Sequence, residues 1–267
     1  MSHIPSKRFG QNFLIDTNII DRIITAIAPS PQDVMVEIGP GQGALTLKLL
    51  RILGHLDAVE LDRTLIEPLT RKCVGQGRLI LHNRDALTFD LCQLATSGRK
   101  LRLVGNLPYN ISTPLLFRFL HQKECIQDMH LMLQKEVVDR IIATPGSRTY
   151  GRLSVMVQTW CRAESIIDIP PEAFFPVPKV YSTLLRLIPF VPVPYHILDQ
   201  QHYARLVAQA FSQRRKTLRN SMKGHVSDSV YSLLNIDATQ RAEELSVSTY
   251  VSLANLTFKN LSESNNP

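Results

Sequence analysis

The feature that most constrains this chain is a regular exchange of two periodicities along its first half. Short apolar runs at Val34–Ile38, Leu56–Glu60, Leu79–His82, Leu101–Gly105 and Met129–Leu133 have the length of buried strands. Around them lie stretches with helical spacing at Ile19–Ala28, Ala44–Leu53, Leu65–Cys73 and about Glu136–Ala143. In the first of these, Ile19, Ile20, Ile23, Ile24 and Ile27 share a face, and Pro29 and Pro31 close the helix. Strands that alternate with helices need crossover connections, which predicts a mainly parallel sheet covered by helices. The rhythm changes past residue 150. Leu153–Trp160 and Ser182–Ile188 read as strands on either side of a Pro-rich run, Pro170–Pro178. Pro189, Pro192 and Pro194 read as a linker, and residues 200–260 carry only helical signals. Two domains are predicted: residues 1–190 with the sheet, and a small all-α domain over 191–267. No internal repeat or low-complexity tract appears.

Composition narrows the function classes. A chain of 267 residues, 44% hydrophobic and 20% charged, can bury a core without staples, which excludes disordered and disulfide-scaffold classes. Thirty Lys and Arg against 23 Asp and Glu leave a net charge of +7, which favours a polyanionic partner. Cys73, Cys92, Cys125 and Cys161 include no close pair, so zinc and CxxC spacings are absent. Such cysteines read as reduced, mostly buried thiols of a cytoplasmic protein. The eight histidines show no ligand spacing, so no metal is expected. No apolar run follows Lys7 and Arg8, and no run of 18 apolar residues occurs, so neither a leader nor a membrane contact is expected. Trp160, Met129 and Met132 read as core.

Three motifs fall at strand ends, where doubly wound sheets bind nucleotides. The first is Glu37-Ile38-Gly39-Pro40-Gly41-Gln42-Gly43-Ala44, a turn whose glycines let a ligand approach the backbone. Gly39, Gly41 and Ala44 fit a dinucleotide fingerprint. Gly39, Gly41 and Gly43, with an acid two residues before, fit an S-adenosylmethionine (SAM) loop equally well. Glu60 ends the second strand, 21 residues after Gly39, where a carboxylate can accept both ribose hydroxyls. Asp85 follows the third strand and can accept from an exocyclic amine or cap a helix.

The third motif, Asn106-Leu107-Pro108-Tyr109, follows the fourth strand. An adenine N6 amine is a poor nucleophile because its lone pair is delocalised into the ring. Two acceptors holding its protons localise that pair. The Asn106 side-chain carbonyl and the Leu107 backbone carbonyl can serve, Pro108 stiffens the turn, and Tyr109 offers a face for an unstacked base. Phe174, in Ala173-Phe174-Phe175-Pro176-Val177-Pro178, is a candidate for the base's other face; Phe175 fits a core role better. Two windows lack acids. Asp90 to Glu124 holds Arg99, Lys100, Arg102, Arg118 and Lys123; Asp199 to Asp228 holds Arg205, Arg214, Arg215, Lys216, Arg219 and Lys223. Read as a helix, residues 211–221 put Arg215 and Arg219 on one face at i,i+4, a repulsion that an anionic partner would relieve.

Together these motifs resemble the ribosomal RNA adenine dimethyltransferases, which dimethylate two adjacent adenosines near the 3′ end of small-subunit rRNA. The likeness runs from Lys7-Arg8-Phe9-Gly10-Gln11-Asn12-Phe13-Leu14 through the glycine turn, Asn106–Tyr109 and Phe174–Ser182 to Arg214-Arg215-Lys216-Thr217-Leu218. It implies a SAM-dependent methyltransferase of Rossmann-like fold with a small helical C-terminal domain. SAM is the implied methyl donor, with no metal. Asn12, Leu14, Gly39, Gly41, Glu60, Asp85 and Asn106 are the implied cofactor-binding residues, and Asn106, Leu107, Tyr109 and Phe174 the implied catalytic ones. Arg214, Arg215, Lys216 and Arg219 are the implied RNA contacts. The implied partner is 16S rRNA in an immature small subunit, met by a monomer in the cytoplasm. Tyr181 departs from the pattern, where many relatives are expected to carry Asp. Two rivals share these features: the macrolide-resistance methyltransferases of large-subunit rRNA, and RNA-binding assembly factors for which methylation is secondary. The long C-terminal region favours the small-subunit type, and the intact Gly39–Gly41 and Asn106–Tyr109 motifs argue against a purely non-catalytic role.

Overall fold

A computed structural model describes residues 11–96 and 98–264, with side chains described as far as residue 260. The basic pair Lys7 and Arg8 therefore lies outside the described residues. In chain order the elements are β1 (Phe13–Leu14), α1 (Thr17–Ile27), β2 (Val34–Ile38), α2 (Thr46–Leu53), β3 (His55–Val59), α3 (Arg63–Cys73), β4 (Arg78–His82) and β5 (Leu101–Asn106). They continue with α4 (Ser112–His121), β6 (Ile126–Gln134), α5 (Lys135–Ile141), α6 (Arg152–Gln158), β7 (Cys161–Ile169), β8 (Phe174–Phe175) and β9 (Ser182–Pro189). Helices α7 (Gln200–Ala210), α8 (Leu218–Ser221), α9 (Asp228–Leu233) and α10 (Val247–Ser264) complete the chain. The expected α/β architecture is present.

Seven strands form one sheet in the order β4-β3-β2-β5-β6-β9-β7. The first five in this order run parallel, and β9 returns antiparallel to β6. The chain builds outward from β2 to β3 and β4, then crosses to β5 on the other side. The carboxyl ends of β2 and β5 therefore flank the switch point, where such sheets leave a crevice. Apolar residues of α1, α2 and α3 bury against the sheet with Met35, Leu56 and Val104, and Met129 and Met132 lie in the core as expected. At the opposite end of β5, buried Arg102 donates to the Ile27 carbonyl (2.7 Å), Asp33 (2.6 Å) and Asp128 (3.0 Å). That clasp ties the end of α1 to two strands. Breaking one partner of such a buried pair typically costs about 3–5 kcal/mol.

Two compact units emerge: residues 1–138 with 163–189, and residues 139–162 with 190–267. A single cut at 190 therefore misses Asp139–Arg162, which joins the C-terminal unit. Within that stretch, Leu153–Gln158 belongs to helix α6 and is not a strand. Leu153, Ser154, Val155, Met156 and Val157 are all buried, and a run buried on every side carries no readable period. The Gly151 N–H donates to Ser154 Oγ (3.0 Å) at the start of this helix. Trp160 follows it in a turn, half-buried, and is not a core strand residue.

The cysteines need a second correction. Cys92 and Cys125 form a disulfide, with Cα atoms 5.5 Å apart, whereas Cys73 and Cys161 are free and buried. Gln122 brings the two segments together: its side chain accepts from Leu91 N (2.6 Å) and donates to the Phe89 carbonyl (3.2 Å). For that pair, sequence spacing was no guide to proximity. Among the described residues, no helix is long and apolar enough to cross a membrane.

Candidate active site

The crevice at the switch point is a cavity of about 350 Å³. Such a volume lies at the small end for a site that holds a drug-sized ligand. Its floor is the turn after β2. Gly39 and Gly41 adopt φ of +66° and +56°, which favours glycine. A Cβ on Gly41 would stand 3.0 Å from the Phe13 ring. The Gly39 N–H donates to the Val59 carbonyl (2.9 Å), so the turn is locked against the end of β3.

Glu60 follows β3 and is buried. One of its carboxylate oxygens accepts from Gly41 N (3.1 Å) and the other from Asp62 N (2.8 Å). Burial pushes its carboxyl upward, and these two N–H groups oppose that shift. Each oxygen keeps a further lone pair for a hydroxyl donor. Asp85 borders the same cavity, and its carboxylate accepts from Leu87 N (2.9 Å). It thus caps a turn rather than a helix while sitting on the rim.

Across the switch point, the Asn106 amide donates to the Asn12 carbonyl (2.7 Å). With the nitrogen engaged, the side-chain oxygen remains as the acceptor. Leu107 is buried and its N–H donates to the Met132 carbonyl (3.2 Å), which holds this turn to β6. The Tyr109 hydroxyl shares a hydrogen bond with Ser182 Oγ (2.6 Å), and burial pushes its pKa up. A fixed hydroxyl fixes the direction in which the ring axis points. Asn12, Leu14, Gly39, Gly41, Glu60, Asp85, Asn106, Leu107 and Tyr109 all line the one cavity. Strands β3 and β5 are two steps apart in the sheet, so Glu60 and Asn106 stand roughly 10 Å apart across it.

Phe174 is not among them. It is fully buried in the core, paired with Leu14 across the β1–β8 ladder. Alternation along a strand sends neighbouring side chains to opposite faces, and Phe175 is the exposed ring. The core ring is thus Phe174 and not Phe175, opposite to the expectation from sequence.

Sequence reasoning also passed over Gln11 and Asp62 and left Glu37 out of the site. Gln11 donates to Asp62 (2.8 Å), which fastens the N-terminal segment over the cavity. Asp62 also caps α3 through Thr64 N (3.0 Å), a signal readable from an Asp before a helix. Glu37 is 2% exposed and one of its oxygens has no partner. Burial, with the Glu60 charge adding to it, pushes its carboxyl to about 7.

The two basic windows fare differently from expectation. In the first, Arg102 is consumed by its buried clasp, Arg118 donates to the Phe89 carbonyl (3.1 Å), and Arg99 to the Gln32 carbonyl (3.0 Å). These three arginines hold backbone in place, Arg99 from an exposed position. In the second, no helix runs through 211–221. Helix α7 ends at Ala210, turns follow, and α8 begins only at Leu218. Arg215 and Arg219 therefore share no helix face. Arg214 lies 3.7 Å from Glu243, and Arg219 lies 3.1 Å from Asp228. Arg215 and Lys216 are exposed and have no acidic partner among the described residues. No group of three His, Cys, Asp or Glu among the described residues is arranged to hold a metal.

An open sheet with this strand order and an antiparallel β9, carrying a glycine turn at its switch point, defines a Rossmann-like methyltransferase. Solved structures share the fold. A dimethyladenosine transferase from Plasmodium falciparum superposes with a TM-score of 0.79 at 24% identity, covering 92% of this chain and 98% of that one. The 23S rRNA methyltransferase ErmE superposes at 0.69 and 23% identity, covering 91% of this chain and 98% of that one. The family model for ribosomal RNA adenine dimethylase matches residues 3–259. Proteins named ribosomal RNA small subunit methyltransferase A are similar over nearly the whole length. That of Nitrosococcus oceani is 52% identical over 259 residues, 97% of this chain and 98% of that protein. That of Xylella fastidiosa strain 9a5c is 54% identical over 253 residues, 94% and 96% respectively. The chain belongs to the ribosomal RNA adenine dimethylase family.

Proposed function

We propose that this cavity binds SAM and one adenosine of 16S rRNA, and that the protein dimethylates the N6 amines of two adjacent adenosines near that RNA's 3′ end. The observation that carries the reading is the bond from the Asn106 amide to the Asn12 carbonyl, which leaves the Asn106 oxygen as a fixed acceptor. Bound SAM supplies an electrophilic methyl group on a sulfonium. Glu60 accepts the ribose hydroxyls, Asp85 the adenine amine, and the Gly39–Gly41 turn admits the ligand to the backbone. Asn106 and the Leu107 carbonyl hold the N6 protons, so that the nitrogen's lone pair points at the methyl. Tyr109 stacks on the base. Positioning of this kind, with reacting atoms at roughly 3–3.5 Å, supplies much of the rate. No strong base is required, because the cationic N6 product is far more acidic than the amine. The site must accept a monomethyl product for a second round.

In the second unit, Arg215 and Lys216 are the free cations for phosphates, and Arg214 and Arg219 would exchange Glu243 and Asp228 for them. The names of the relatives support a small-subunit RNA over a large-subunit one. We read the protein as a monomer acting in the cytoplasm on an immature small subunit, with the assembly role compatible with catalysis. The test is transfer of labelled methyl from SAM to immature small subunits, followed by nucleoside analysis. Label in N6,N6-dimethyladenosine is the expected result. Label in another nucleoside, or none, contradicts it.

A further inference from the structure

Residues 175–181, from the end of β8 to the start of β9, carry two aromatic rings that the proposed chemistry does not use. Phe175 is 55% exposed and Tyr181 53%. Neither ring lines the cavity, but each is one step along or across the backbone from a residue that lines it or bonds to its lining. Phe175 is opposite Phe13 in the β1–β8 pair, and Phe13 lines the cavity floor beside Gly41. Opposite residues of an antiparallel pair present their side chains to the same face. Tyr181 immediately precedes Ser182, the partner of Tyr109, and its carbonyl accepts from Lys135 N (2.9 Å) at the carboxyl end of β6. Phe175 is therefore one pairing from the residue that packs on the glycine turn, and Tyr181 is one residue along the chain from the partner of Tyr109. No acid occurs from Ala173 to Leu198, and Lys179 is exposed between the rings.

We propose that Phe175 and Tyr181 form a stacking ledge for the bases that flank the target adenosine, with Lys179 on the connecting phosphates. This inference rests on the function proposed above. Drawing one base into the cavity unstacks its neighbours, and an aromatic face can take up each of them whatever its identity. Phosphodiester is the partner that fits residues 175–181, which hold one cation and no acid. Phe175 and Tyr181 lie outside the Asn106–Tyr109 turn, so they act by positioning the strand.

The experiment uses the full chain and a short RNA hairpin in which the nucleotide beside the target adenosine is 2-aminopurine, whose fluorescence falls on stacking. Wild-type protein is expected to quench it. Tyr181→Ala and Phe175→Ala are each expected to lose quenching and to raise the KM for RNA about tenfold or more, at unchanged KM for SAM. Tyr181→Trp should restore both, and Tyr181→Leu should not, which separates stacking from apolar packing. Quenching and KM that are untouched in both alanine variants, with methyl transfer intact, overturn the ledge while leaving the enzyme reading in place. Quenching by wild type without methyl transfer sustains the ledge and overturns the enzyme reading. A concentration-dependent dimer that Tyr181→Ala dissolves would assign the rings to a second copy of the chain and overturn the ledge.

Discussion

The cavity of the first unit and the basic segment of the second handle charge in opposite ways. Glu60 is buried, and its two oxygens already hold the Gly41 and Asp62 N–H groups. Arg215 and Lys216 stand in solvent on a turn, flanked by Arg214 and Arg219, whose acids are also exposed or half-buried. The first arrangement is organised before a ligand arrives, so little is lost in ordering it. The second can re-pair with any phosphate, at a strength that salt erodes. On the proposed function, the first region suits a particular small molecule and the second a polyanion.

The harshest way to break the first region is Gly105→Ala. A Cβ there would lie 2.5 Å from the Ile38 carbonyl oxygen, a backbone atom of the neighbouring strand. The strands flanking the crevice would have to part, and the expected loss of stability is about 3 kcal/mol by denaturant titration. An unchanged midpoint would mean that the floor is not rigid.

Glu60→Ala addresses the ligand directly. SAM affinity is expected to weaken by about 1–3 kcal/mol in calorimetry, since the ribose hydroxyls lose a buried acceptor. The same affinity in the variant would remove Glu60 from the site. The second region calls for a different readout. Arg215→Ala with Lys216→Ala should lower the salt slope of RNA binding by up to roughly 2 units and leave SAM affinity alone. Replacing Arg214 and Arg219 should change the slope less, because they start out paired. Equal effects from both pairs would erase that distinction.

Glu37 gives the smallest and most specific signal. Burial raises its folded carboxyl from the ordinary 4.5 to about 7, so the folded state keeps a proton that the unfolded state releases over that interval. Stability contributed by the neutral form is complete below about 4.5 and is lost as pH rises through about 7. Glu37→Gln should therefore show a shallower fall in Tm between pH 5 and pH 8 than wild type. Parallel curves would show that Glu37 is ionised and solvated at neutral pH.

The same contrast explains what could be read from the residues alone. Glycine turns, a strand-end acid and Asn-Leu-Pro-Tyr are local signals, and a parallel sheet carries each to one edge. The cavity was legible for that reason. Phe174 and Phe175 are adjacent in sequence and differ only in which side of a two-residue strand they occupy, which depends on the pairing of β8 with β1. Gly105 looked like an ordinary strand residue because its constraint is the carbonyl of another strand. Arg102 looked like part of a basic surface because its acids, Asp33 and Asp128, are distant in sequence. The 211–221 segment has the composition of a helix, yet the chain turns after Ala210. Features that depend on long-range pairing were the ones missed.

The central claim is that Asn106 presents a fixed acceptor whose hold on N6 strengthens as that nitrogen becomes cationic. Such an interaction favours the transition state over the bound substrate. The most direct test is turnover of Asn106→Ala at saturating SAM and saturating small-subunit RNA. The account expects kcat to fall by ~10²-fold or more, about 2.7 kcal/mol, with little change in RNA affinity. Near-normal formation of dimethyladenosine by this variant would contradict it.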